Sequence, residues 1–306
     1  MNKYCEAQTH SRKDLVRKAA VLILALALIF FVCAVNFGFF NADVMFADKS
    51  VKDALSAEFS VHYIDCGYGN CVYLRYGDCD ILIDCGTESS QKHILDYLDK
   101  CKVNDFEIVI LTSLSEDCIG CLEAVAEKYD IGEMWFYDGF KSYAEPSYAF
   151  ERAKRIIYKR NIKICEPSEN DRLTYGELNI EFLTSPDKYT AKRDMSAAVK
   201  VSFKDSAFLF MGNASKRVEY DLLEAGTEVS ADVIMLSNHA GSGASTVDFL
   251  KAVSPSAAVI SVGDNSRGAP DNEVLLSLDE MGIEYYRTDL LSDIVIYPNG
   301  GILTIV

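Results

Sequence analysis

The stretch ILTSLSEDCIG (residues 110–120) decides the fold. Its start completes EIVILTS, a branched, apolar run short enough for a buried strand, and its end opens IGCLEAVAEKY, whose apolar positions recur at helical spacing. Between them lie Ser113, Ser115, Asp117 and Cys118. The turn is therefore a metal site, the remnant of one, or an ordinary strand-to-helix connection.

Upstream, FSVHYID alternates, GYGN is turn chemistry, CVYLRY alternates again, GDCD turns and ILID closes a three-strand meander. QKHILDYLDKC then reads as an amphipathic helix. Downstream, EMWFYDG is a strand and SYAFERAKRIIYKR a helix, while residues 165–196 are looser, with Pro167 and Pro186 around the strand LNIEFLT. SAAVKVSFKD and SAFLFMG are two strands joined by a tight turn, and SKRVEYDLLEAG is a helix ending at Gly226. ADVIMLSNH, STVDFLKAV, AAVISVG and DNEVLLSLDEMG alternate strand and helix, and IEYYRT, DIVIYP and GILTIV are final strands. Each half mixes hairpins with strand-helix units. That order predicts an α/β fold, a four-layer αββα sandwich with two sheets inside and helices on both outer faces.

Residues 19–35 carry no charge and, with NFGFF following, supply the roughly 20 apolar residues that a spanning helix needs. Lys3, Arg12, Lys13, Arg17 and Lys18 precede the run, whereas Asp43 and Asp48 follow it with only Lys49 against them. The positive-inside rule then predicts a single-pass cell-membrane protein with a cytoplasmic N-terminus and an extracytoplasmic domain. The run is long for a signal peptide and lacks a small-x-small cleavage site after it, which favours an uncleaved signal anchor. The expected organisation is a basic tail (residues 1–18), a transmembrane helix (19–40), a linker (41–58) and one large domain (59–306).

The chain has a formal charge of -16, and its first 18 residues hold five basic and two acidic side chains, which leaves -19 for the rest. No basic run offers a grip on phosphates, so nucleic acid is not expected as a partner. His62 and His93 read as structural, Asp65 and Asp84 as loop caps at strand ends, and Trp135 as core. Tyr137, Phe140, Tyr143, Tyr148 and Phe150 suit either packing or the lining of a groove.

The strings VHYIDCGYGNCVYLRYG, ILIDCG, IVILTSLSEDCIGCLEAV, FLFMGNA, ADVIMLSNHAGSGAST and AAVISVGDNSRGAPDNEVLLSLDEMGIEYYRTD occur in an order similar to the metallo-beta-lactamase-fold domain of the competence DNA-uptake family ComEC. The resemblance covers residues 59–306 and implies a metal-dependent hydrolase fold. Working members carry T-H-x-H-x-D-H after the fourth strand, and here Ser113 and Ser115 replace the paired histidines, with Asp117 and Cys118 after them. The bridging acid of the family's G-D is matched by Asn213, its H-H-G-S loop by Asn238, His239, Ala240 and Gly241, and its late H-P by Ala269 and Pro270.

The surviving metal donors are Asp117, Cys118 and His239, fewer than a dinuclear centre requires. A second donor set is thiolate: Cys66 and Cys85 each follow an aspartate in an I-D-C-G string, and Cys118 and Cys121 form C-x-x-C at a helix start. In the resembled fold these loops face one another, so four thiols could take zinc or iron, enter redox exchange, pair as disulfides, or stay inert. The leading expectation is a catalytically impaired or inactive ComEC-like domain, a membrane-tethered binding or scaffold module with no resident cofactor. Its partner would be an envelope protein or a small ligand in the old cleft. The alternative is a phosphodiesterase-like hydrolase rebuilt on a mononuclear or thiolate site.

Overall fold

The computed structural model describes residues 51–137, 148–184, 186–191 and 193–306. The chain divides into two units, residues 1–52 and 53–306, and the second is treated below. The basic tail and the apolar segment at 19–40, with Phe140 and Tyr143, lie outside the described residues. Among those described, no helix is long and apolar enough to cross a membrane.

Strands form where apolar and polar residues alternate. β1 (Phe59–Tyr63), β2 (Val72–Tyr76) and β3 (Cys79–Ile83) are the expected antiparallel meander, and β4 (Asp105–Ile110), β5 (Asp130–Trp135) and β6 (Lys163–Cys165) follow in parallel. The second half repeats the scheme. β7 (Arg172–Tyr175), β8 (Leu178–Phe182), β9 (Val199–Phe203) and β10 (Ser206–Phe210) pair antiparallel, then β11 (Val233–Met235), β12 (Ala257–Ile260) and β13 (Glu284–Arg287) add in parallel. β14 (Ile294–Asn299) returns to pair with β1, Val61 opposite Ile296, and β15 (Ile302–Ile305) closes that edge. Two sheets result, ordered β15-β14-β1-β2-β3-β4-β5-β6 and β13-β12-β11-β10-β9-β8-β7.

Alternate residues from both sheets, including Phe59, Ile81, Ile108, Phe182, Val201, Phe208 and Val259, bury one another in a shared core. The other face of the second sheet, with Leu209, Ile234 and Ala258, is covered by Val218 and Leu222 of helix Lys216–Glu224, Phe249 and Leu250 of Val247–Val253, and Leu278 of Asn272–Met281. On the first sheet Tyr73, Leu82, Val109 and Met134 are buried on the face away from that core. Helices Gln91–Lys100, Leu122–Lys128 and Tyr148–Arg160 bury Ile94, Leu98, Leu122, Val125, Ile156 and Ile157 there. Sheet against sheet with helices outside is the layered arrangement expected.

Three local readings need correction. The helix expected over IGCLEAVAEKY (residues 119–129) is shorter, Leu122–Lys128, and a separate turn of helix, Glu116–Ile119, precedes it. A Cβ on Gly120 would collide with the backbone of Gly86, Thr87 and Glu88, so the chain steps aside where the two loops touch. The packed unit begins earlier than Phe59, since Ala54 is fully buried and the Leu55 carbonyl accepts a bond from Arg75. β6, β7 and the one-turn helix Thr288–Leu291 were not read from sequence, because three or four half-exposed residues carry no period.

Candidate functional site

The loops that leave β1, β3, β4, β10, β11 and β12 meet at the carboxyl ends of strands, where open α/β sheets place ligands. Two anchors fix this meeting. Asp84 accepts from Thr112 N (2.8 Å) and Thr112 Oγ1 (2.6 Å), which ties the end of β3 to the turn after β4. Burial raises the Asp84 carboxyl to about 7, the Thr112 bonds opposing it only in part. Gly212, at φ 53°, packs onto Ser196 and Thr112 so closely that no side chain fits, and this aims Asn213 into the site.

Asp117 is the centre of the floor. Its Oδ2 accepts from Asn213 Nδ2 (2.7 Å) and pairs with His239 Nε2 (3.1 Å). The other ring nitrogen of His239, Nδ1, donates to the Ser261 carbonyl (2.7 Å). Burial opposes ionisation of Asp117, yet the His239 bond and charge, with bonds from Ser115 and Asn213, outweigh it and hold the carboxyl at about 2. Asn213 Nδ2 also donates to Ser115 Oγ (2.9 Å), which lies 3.0 Å from Ser113 Oγ. Asn70, beneath, turns its amide toward Asn213 Oδ1 (3.5 Å) and Cys118 Sγ (3.6 Å).

His239 points inward because Asn238, His239 and Ala240 all take left-handed backbone, with φ of 49°, 57° and 55°. Such conformations persist only when the surroundings enforce them. Here Glu219, fully buried, accepts from Ser237 Oγ (3.2 Å) and Thr246 N (2.8 Å) and also from Ser245 N, gripping the loop on both sides.

These donors do not fit a zinc or iron ion. Asp117 and His239 are spent on each other, Ser113, Ser115 and Asn213 offer neutral oxygens, and Asn238 replaces a ring nitrogen. Among the described residues no three His, Cys, Asp or Glu side chains group around a point able to hold a metal, so neither Asp117, Cys118 and His239 nor Cys66, Cys85, Cys118 and Cys121 form such a set. The thiols lie in neighbouring loops, but burial pushes Cys66, Cys85 and Cys118 well above the ordinary range and Cys121 to about 12. All eight cysteines of the described residues are free, and the Cys121 thiol donates to the Thr87 carbonyl (2.8 Å). High values and burial make Cys66, Cys85, Cys118 and Cys121 inert fillers rather than nucleophiles.

Above the floor opens a cleft of about 730 Å³, lined on its walls by Tyr68, Tyr137, Tyr148, Met195, Arg193 and Arg267. Of the aromatics considered for a groove, Tyr137 and Tyr148 line it and Phe150 is buried in its helix. Tyr68 lies across His239, ring centres 4.0 Å apart, and the Arg267 guanidinium lies over Tyr68 at 5.4 Å. Tyr68, Asn70, Arg193 and Arg267 join the site only in the fold, since the sequence marks none of them as a site residue. The structural readings of His62, bonded to Ser60 and Tyr97, and of His93, bonded to Asp293, agree with the geometry.

Residues 64–190 match the sequence model of the Metallo-beta-lactamase superfamily. ComE operon protein 3 of Bacillus subtilis is 24% identical over 260 residues, covering 78% of this chain and 33% of that protein. Competence protein ComA of Neisseria gonorrhoeae is 26% identical over 240 residues, covering 76% of this chain and 31% of that protein. The chain thus spans about a third of the length of these relatives. Among solved structures, the metallo-beta-lactamase fold protein YhfI of Bacillus subtilis superposes with a TM-score of 0.54 at 13% identity, over 81% of this chain and all of that one. The diiron beta-hydroxylase CmlA of Streptomyces venezuelae gives 0.54 at 10% identity, over 79% and 54%.

Proposed function

We propose, for a chain with the metallo-beta-lactamase fold and competence proteins among its sequence relatives, that a hydrogen-bonded floor has replaced the metal centre and that the protein binds rather than hydrolyses. The observation that carries this is the capture of Asp117 Oδ2 by Asn213 and His239. Hydrolysis of the family type needs cations that acidify a water and polarise the substrate. A floor of two hydroxyls, an amide and a neutralised acid lowers no water's pKa. It can still orient a ligand, with Ser113 and Ser115 offering hydroxyls and Tyr68 an aromatic face.

In this reading the protein is a membrane-tethered module, anchored through residues 19–40 with its large domain outside the cell, and its partner is a small ligand in the cleft or an envelope protein. The charge asymmetry around the apolar run supports the orientation. The second reading, a hydrolase with a rebuilt mononuclear site, draws on one specific feature. His239 has Nδ1 held by a carbonyl and Nε2 turned to the floor, the arrangement of a metal-binding histidine.

Elemental analysis of the full chain, purified without chelators, separates the two when joined to an assay on bis(p-nitrophenyl) phosphate. The binding reading expects zinc and iron far below one per chain and no turnover. Near-stoichiometric metal, with chelator-sensitive turnover that Cys118→Ser removes, would overturn it.

A further inference from the structure

Two arginines line the cleft, in a chain whose formal charge is -16. Arg152, Arg160, Arg172, Arg217 and Arg287 each pair with a carboxylate. Arg193 and Arg267, which line the cleft, have none at ion-pair distance among the described residues. Arg193 gives Nη2 to the Ser242 carbonyl at 3.3 Å, while its Nε is buried and has no acceptor. Arg267 rests on the Tyr68 ring.

The acids of the lining do not cancel them. Asp117 is held by His239 and Asn213, and Glu88 by Arg152 at 2.6 Å, which leaves only Glu116, on the exposed lip. Both guanidiniums also act on the Tyr68 hydroxyl: burial raises that phenol, and each arginine pulls against the rise. Arg193 and Arg267 thus line the same cleft as the hydroxyl-bearing Ser113 and Ser115.

We propose that this cleft is an oxyanion receptor in which Arg193 and Arg267 take the phosphate or carboxylate of a small organic ligand without a metal ion. The inference rests on the binding reading above. A guanidinium presents two N–H groups as a fork that matches two oxygens of such a group. The cleft volume of about 730 Å³ suits a ligand of metabolite size. The formal charge of -16 disfavours a long polyanion, so a nucleic acid strand is not the occupant.

The test is calorimetric titration of the full chain with inorganic phosphate and, separately, with succinate, each with and without EDTA. Saturable binding of at least one probe is expected, unchanged by EDTA and weakened about tenfold or more by Arg193→Met or by Arg267→Met. Arg267 is exposed, so its substitution spares the fold; Arg155→Met, on an exposed residue outside the cleft, should change nothing. Binding of phosphate alone or of succinate alone identifies the oxyanion. No binding of either probe, or binding indifferent to both cleft arginines, overturns the oxyanion assignment and leaves the binding reading standing. Binding abolished by EDTA overturns both, because the anion would then sit on a metal.

Discussion

Asn213 donates to Asp117 and to Ser115, bonds that a carboxylate in its place cannot make. Asn213→Asp should therefore lower stability by about 1–3 kcal/mol in metal-free buffer, through lost bonds and a second negative charge beside Asp117. Denaturant titration measures it, and an unchanged midpoint would mean that the network does not hold the floor. His62 supplies a pH dependence away from the site. Burial, helped by the Arg75 charge, lowers its value to about 3, so the folded protein refuses a proton that the unfolded chain accepts. Stability is then full above about 6.5 and is lost as pH falls from there toward 3. His62→Gln, which keeps hydrogen-bonding groups near Ser60 and Tyr97, should flatten the stability profile across that window. At this scale the sequence exposed the missing histidines and the capping role of Asp84. It hid the direction of His239, which depends on three left-handed residues in succession, and the convergence of Arg193 and Arg267 from loops far apart in the chain.

Helix Lys216–Glu224 shows how an element far from the cleft shapes it. Its Glu219 accepts three bonds from residues 237, 245 and 246 and so holds the loop that presents His239. Glu219→Ala, leaving those donors buried and unpaired, should cost about 3–5 kcal/mol. Glu219→Gln, which retains one acceptor, should cost less, and chemical unfolding of the two variants orders them; equal, small losses would remove the helix from the account of the loop. Elements such as β9, whose side chains alternate buried and half-exposed, were legible because the period survives. The break at Gly120 was not legible, since it comes from contact with a loop more than 30 residues earlier rather than from local propensity.

The charge of the whole chain makes a prediction of its own. With -16 overall and no basic run, the protein should show no salt-sensitive binding of a double-stranded DNA fragment at about 150 mM salt. A mobility-shift assay reads this, and micromolar binding that weakens steeply with salt would contradict it. The layered plan was legible as a whole, because meanders and strand-helix units recur in both halves and one family's loop order runs through them. What no local reading could supply is that Val61 sits opposite Ile296, which places the first strand of the domain inside the sheet and not at its edge. More than 230 residues must be synthesised between that strand and its neighbour. Until β14 arrives, the growing chain carries an open, apolar edge on β1, the step most exposed to aggregation.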